Sequence, residues 1–235
     1  MMLTFAVGDI HGQSNKLRSL LAHCEGYQGN KDARFVFIGD YIDRGPDSKG
    51  VIELLMDRQE SRQDAICLRG NHEALLLDLL HGAAALYEFL LMGGDATLAS
   101  YGVRKVENIP ASHLSWISDL PFHYEDDYRF FVHAGIDPGK ALQDQTEADF
   151  LWIREPFLSD NRRHDRLVVH GHTPQLSFLP DVKLNRINID TGAAYGGPLT
   201  AAVFRDDESY PVTFINSDGR QFVIQEPSER DTTLT

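Results

Sequence analysis

A handful of short polar motifs carry the side chains with which this chain could do chemistry. They read Gly8-Asp9-Ile10-His11-Gly12, Gly39-Asp40-Tyr41-Ile42-Asp43-Arg44-Gly45 and Gly70-Asn71-His72-Glu73. A late pair follows, His133-Ala134-Gly135 and Gly171-His172-Thr173. Asp, Asn and His are oxygen and nitrogen ligands suited to Mn, Fe, Zn or Mg, and no motif offers a thiolate. Two such cations held side by side can activate a water and clamp a phosphoryl group.

The spacing supports that chemistry piece by piece. Residues i and i+2 of extended chain point to the same side, so Asp9 and His11 can approach one ion. Asp40 closes a second predicted strand as Asp9 closes the first, and two adjacent carboxylates stay ionised most readily with a cation between them. Asn71 adds a neutral oxygen, and His133 and His172 extend the set. Each motif alone has a plainer explanation. Asp9–His11 could be a polar turn, Asp43–Arg44 a surface ion pair, and Asn71 a helix cap. The repetition at three successive strand ends favours a site. Spacing alone also admits His170, which alternates with His172. His23, His81, His113, His123 and His164 lie in predicted helices or loops without such company.

The elements that must position these residues are legible in the hydrophobic pattern. Strands are expected at residues 3–7, 34–38 and 65–68, with helices at 14–24 and 48–58 between them. This β-α-β-α-β order implies a parallel sheet with crossover helices. Such sheets bind ligands at the carboxyl ends of their strands, where the first three motifs fall. Residues 73–120 read as mostly helical, broken by Gly93-Gly94 and punctuated by Pro110 and Pro121, and are expected to form an insertion against the sheet edge. Strands return at 128–132, 167–169, 186–189, 200–204, 212–215 and 221–224. With no helices predicted between them, they suggest a second sheet, antiparallel or mixed. Residues 1–225 are expected to form one catalytic domain and 226–235 a flexible tail.

Composition narrows the function. The chain has 235 residues, 42% hydrophobic and 24% charged, enough for a substantial core. Its net charge of −13 argues against general affinity for nucleic acid or anionic membrane. An acidic chain that handles phosphate must place its few cations at the site, which draws attention to Arg44 and Arg154. Cys24 and Cys67 suggest no disulfide framework. With no basic leader before the first strand, a reduced cytoplasmic setting is expected. Residues 74–92 are apolar but carry Asp78, His81 and Glu88, which fits a buried helical hairpin better than a membrane span.

Taken in order, the motifs resemble those of the phosphoprotein phosphatase family of calcineurin-like binuclear metallophosphoesterases. That pattern runs GDxHG, GDxxDRG, GNH[ED], HAG or HGG, and GH or AH. The segments Leu151-Trp152-Ile153-Arg154-Glu155 and Asn188-Ile189-Asp190-Thr191-Gly192-Ala193 are similar to the bacterial and phage branch. The resemblance covers roughly residues 5 to 205. It implies an α/β fold, a four-layer αββα sandwich of mixed sheets flanked by helices. It implies two divalent ions, Mn2+ as the first expectation, with Fe, Zn, Ni or Mg as alternatives. Asp9 and His11 would bind the first ion, Asp40 would bridge both, and Asn71, His133 and His172 would bind the second. Arg44, Arg154 and Asn71 would hold phosphoryl oxygens. His72, oriented by Asp43, would donate a proton to the leaving group, while a bridging hydroxide attacks phosphorus. Tyr195 matches a loop that lines the family's cleft. The same match makes His172 the ligand and leaves His170 structural or supporting.

The implied activity is metal-dependent hydrolysis of a phosphate ester, first of all on phosphoserine or phosphothreonine in proteins, with phosphotyrosine as an extension. Dinucleoside tetraphosphate hydrolysis shares every metal motif and is the alternative. The segment Gly93-Gly94-Asp95-Ala96-Thr97-Leu98 resembles bacterial relatives of both kinds. A metal-binding scaffold without activity is the minor alternative, and none of the matched positions is substituted. The partner is a phosphoprotein or small phosphoester, with no nucleic acid and no membrane. Metal identity, substrate and oligomeric state are left open.

Overall fold

The structure is a computed structural model that describes residues 2–227. Of the tail expected at 226–235, residues 228–235 lie outside the described residues. The order begins β1 (Leu3–Val7), α1 (Ser14–Gln28), β2 (Ala33–Phe37), α2 (Ser48–Ser61), β3 (Ala65–Cys67). Four helices follow: α3 (Asn71–Leu80), α4 (Leu86–Leu91), α5 (Gly94–Tyr101) and α6 (Ala111–Ser118). Next come β4 (His123–Glu125), β5 (Arg129–Val132), α7 (Glu147–Trp152) and β6 (Leu167–His170). The chain then runs through β7 (Asp181–Val182), β8 (Arg186–Asn188), β9 (Thr200–Arg205), β10 (Thr213–Asn216) and β11 (Gln221–Phe222).

Two mixed sheets lie face to face between helical layers. The first has the order β11-β10-β9-β1-β2-β3, and the second β4-β5-β6-β8-β7. Strands β1, β2 and β3 are parallel, as the crossover helices require. One expectation is corrected here. The C-terminal strands do not all build the second sheet: β9 pairs antiparallel with the free edge of β1, and β10 and β11 extend it. That edge would otherwise expose a row of unpaired backbone groups. The second sheet is therefore built from β4 to β8, and its central strands β5, β6 and β8 are parallel. The short edge strands β4 and β7, and helix α7, have no signal in the hydrophobic pattern strong enough to predict them.

Alternation within the strands explains the layering. In β1, Leu3, Phe5 and Val7 face the helices, while Ala6 faces the second sheet. In β2, Phe35 and Phe37 face outward, while Val36 faces inward. In the second sheet, Phe131, Leu167, Val169 and Ile187 meet them, and Phe130 and Val168 turn to the far side. Period-two patterning with both faces apolar is what a strand buried between two layers needs. The helices α1 to α6 cover the first sheet through one apolar cluster. The second sheet's outer face is covered more thinly, by Phe150 of α7 and loop residues such as Ile136 and Phe157. Among the described residues, no helix is long and apolar enough to cross a membrane.

Candidate active site

Both sheets direct the carboxyl ends of their parallel strands to one place. Asp9, Asp40 and Asn71 follow β1, β2 and β3, and His133, His172 and Asp190 follow β5, β6 and β8. All six are buried. The close approach of the sheets depends on glycine. A Cβ on Gly8 would fall 2.3 Å from the Ile189 carbonyl, and one on Gly171 would fall 2.0 Å from Asp9 Oδ1. Larger residues there would push the two halves apart.

The loops carrying these residues hold unusual backbone. Seven non-glycine residues among those described have positive φ, and five are His11, Asp40, Asp43, Arg44 and His172. Such conformations cost of order 1–3 kcal/mol each and persist only where the surroundings over-determine them. The surroundings here do so. Ile10 and His11 donate backbone N–H groups to the Asp40 carbonyl at 3.0 and 2.8 Å. The buried Glu73 carboxylate accepts from the N–H groups of Asp40, Tyr41, Ile42 and Gly70 at 2.8–3.2 Å.

Asp40 is the hub. Its oxygens lie 3.4 Å from His11 Nε2, 3.4 Å from His133 Nε2 and 3.8 Å from His72 Nε2. Burial alone would raise its pKa. The surrounding imidazoles of His133, His72, His11 and His172 outweigh that and hold it well below the usual carboxylate range. Two ring orientations follow from simple chemistry. His11 Nδ1 meets the Ile42 carbonyl at 2.8 Å, and His133 Nδ1 meets the Ile38 carbonyl at 3.0 Å. A carbonyl only accepts, so both Nδ1 atoms carry the hydrogen. Burial pushes His11 down to about 3 and lowers His133, so both rings are neutral and present an Nε2 lone pair inward.

That result makes a test of metal fit. His133 Nε2 lies 2.8 Å from Asn71 Oδ1, and His172 Nδ1 lies 2.9 Å from the same oxygen. For His133, whose Nδ1 carries the hydrogen, this sets an imidazole lone pair against an amide oxygen, two acceptors with no hydrogen between them. The Asn71 amide nitrogen is buried without a partner. Converging acceptors around a carboxylate suit a cation. Two groups meet within 4.8 Å: His11, Asp40 and His72, and Asp40, His133 and His172. The donor set fits a pair of ions that share Asp40.

Asp9 stands slightly apart from these groups. Its carboxylate accepts the His172 backbone N–H at 3.0 Å and contacts Asp190, so burial and the Asp190 and Asp40 charges raise its pKa strongly. Asp190 is pushed up to about 7, mainly by burial. Two buried carboxylates in contact beside Asp40 again call for positive charge.

His72 differs from the other imidazoles. Its Nδ1 meets Asp43 Oδ2 at 2.7 Å, and Asp43 is fixed by the Thr97 hydroxyl at 2.6 Å. Burial works against the charged ring, but Asp40 and Asp43 outweigh it and raise the pKa above the ordinary value. Its Nε2 is buried without a partner. A protonated imidazole with a free N–H can serve as a general acid.

A cleft of about 320 Å³ opens onto this centre, lined by Asp40, Arg44, Asn71, Trp152, Arg154 and Tyr195 among others. It holds both expected arginines and the expected tyrosine. The Arg44 guanidinium lies 5.4 Å from the Tyr195 ring centre and donates to His11 Nε2. All the expected site residues therefore converge. His170 does not join them: its ring packs 5.0 Å from Phe157, away from the cleft lining. Asp190, Thr97 and Trp152 were missed as site residues. Asp190 had a usable signal, two residues beyond β8 as His172 is two beyond β6. Thr97 lies far along the chain from Asp43, and only packing joins them.

A model of the calcineurin-like phosphoesterase family matches residues 2–202. The chain is 31% identical to a bis(5'-nucleosyl)-tetraphosphatase, PrpE, from Oceanobacillus iheyensis, covering 94% of each chain. It is 33% identical to serine/threonine-protein phosphatase 1 of Salmonella typhimurium over 84% of this chain and 90% of that one. The crystal structure of a candidate diadenosine tetraphosphatase superposes with a TM-score of 0.68 at 27% identity, covering 91% of this chain and 92% of the other.

Proposed function

The chain belongs to the calcineurin-like phosphoesterases and is a metallophosphoesterase, and from that premise we propose that it hydrolyses dinucleoside tetraphosphates at a two-metal centre. The observation that carries the reaction is His72: a buried imidazole whose pKa Asp40 and Asp43 raise, with its Nε2 3.8 Å from the Asp40 carboxylate and without a hydrogen-bond partner. Asp9, His11 and Asp40 would hold one divalent ion, and Asp40, Asn71, His133 and His172 the other, with Mn2+ the first candidate. Bound there, the ions would lower the pKa of a water and offset charge on the phosphoryl oxygens.

The chain's own residues do the rest. Arg44 and Arg154 present planar guanidinium groups to the phosphoryl oxygens, suited to paired, charge-assisted hydrogen bonds. Asn71 helps to fix the same group. Water adds to phosphorus and the bond from phosphorus to the leaving oxygen breaks. His72 Nε2 gives that oxygen its proton, and Asp43 keeps the imidazole oriented and charged. Thr97 holds Asp43 in place from α5.

The tetraphosphate reading is favoured by the PrpE relative, which spans 94% of both chains. A serine/threonine protein phosphatase is the second reading, favoured by the Salmonella relative. The deciding experiment gives purified, Mn2+-loaded protein diadenosine tetraphosphate and a phosphoserine peptide side by side. Turnover of the dinucleotide with kcat/KM well above that for the peptide is expected. The reverse order would overturn the substrate reading in favour of the phosphatase.

A further inference from the structure

Trp152 is a large exposed aromatic side chain inside the catalytic cleft, and no step of the hydrolysis uses it. We infer that its indole is the platform on which the cleft stacks a nucleobase of its substrate. The inference rests on the reading that Arg44 and Arg154 hold the phosphoryl group.

The local chain places an aromatic face and a phosphate-binding group together. Helix α7 ends at Trp152, and Ile153 follows with extended backbone, φ −62° and ψ 139°. Residues on either side of an extended residue point the same way. Ile153 itself packs into the apolar cluster of the second sheet's outer face. Trp152 and Arg154 are thereby both turned into the cleft. The position is also rigid. Thr146 and Asp149 cap α7 reciprocally, Lys140 donates to Asp149 at 2.6 Å, and the Trp152 and His172 rings meet edge to face at 6.2 Å.

Although held in this way, Trp152 is 44% exposed. A fixed, solvated indole in a polar cleft is an unfilled stacking surface, and every base presents a π-face to such a surface. The turn bearing Tyr195, another residue of the cleft lining, is firm as well. Lys16 donates to the Ala193 and Gly197 carbonyls at 2.8 and 2.7 Å, which pins that turn. The cleft's volume of about 320 Å³ is at the small end of ligand sites, roughly 300–1,000 Å³. It suits a phosphoryl group with one ring system, so one end of a dinucleotide would be held and the other would project outward.

The test compares Trp152→Leu and Trp152→Phe with wild type, all Mn2+-loaded, on diadenosine tetraphosphate and on inorganic tripolyphosphate, which has the anhydride but no base. In Trp152→Leu the ratio of the dinucleotide KM to the tripolyphosphate KM rises roughly tenfold, within the range for losing one stacked base. Trp152→Phe restores most of that ratio. As a readout independent of turnover, the β,γ-methylene analogue of ATP quenches tryptophan fluorescence in wild type but not in Trp152→Leu, and methylenediphosphonate quenches neither. An unchanged KM ratio with dinucleotide turnover intact overturns the platform alone. A wild type that cleaves phosphopeptide and not the dinucleotide overturns the functional reading beneath it.

Discussion

His72 shows how one residue's surroundings select its role. Four imidazoles surround Asp40, and three are depressed by burial, His11 and His172 to about 3. His72 alone among them is raised, because Asp43 supplies a second carboxylate at 2.7 Å. Neutral rings suit metal binding, and a charged ring suits proton donation. If His72 is the general acid, His72→Asn should lower kcat by about 10²–10⁴ for a substrate with a poor leaving group. For an activated aryl ester, whose leaving oxygen needs no proton, the loss should be much smaller. Steady-state rates on a series of phosphate esters of graded leaving-group pKa measure this. Equal losses across the series would remove His72 from that role.

At the scale of elements, the decisive feature is the seam between the β2 loop and the start of α3. Glu73, in the first turn of α3, accepts four backbone N–H groups, three of them from the loop bearing Asp40. The helix start thus dictates the path of a loop that closes a different strand. Glu73→Ala would leave buried donors without acceptors, each costing about 1–3 kcal/mol if unrepaired by water. A loss of at least about 3 kcal/mol in unfolding free energy is expected, measured by urea denaturation. A variant as stable as wild type would show that the loop holds itself.

The whole molecule concentrates buried charge and imidazole where its two sheets meet. Asp9, Asp40 and Asp190 lie there together, with raised values for Asp9 and Asp190. Without cations the folded state holds carboxyls that burial and mutual repulsion disfavour as anions. Metal binding should therefore stabilise the fold as well as enable chemistry. At a free concentration a hundredfold above Kd, a single ion adds about 2.7 kcal/mol. For a chain of this size each kcal/mol shifts the melting temperature by about 2–4 °C, so a rise of about 5–10 °C is expected. Differential scanning calorimetry with added Mn2+ and with EDTA reads it, and identical melting temperatures would count against a metal centre at this seam.

Much of this was legible in the amino-acid order, because the relevant physics is local. Alternating apolar residues mark β1 and β2, and polar residues just beyond the strand ends mark Asp9, Asp40 and Asn71. A parallel β-α-β run then brings those ends together by topology alone. What only the tertiary structure decided depends on contacts between segments far apart in the chain. The pairing of β9 with β1 mixed the first sheet, and the register of the second sheet carried Asp190 to Asp9. The contact of Thr97 with Asp43 and the exposure of Trp152 beside Arg154 belong to the same class. His170 and His172 illustrate the boundary: two residues apart, equal by spacing, they were separated by a left-handed turn at His172, φ 64°, which sends one ring to the site and leaves the other against Phe157.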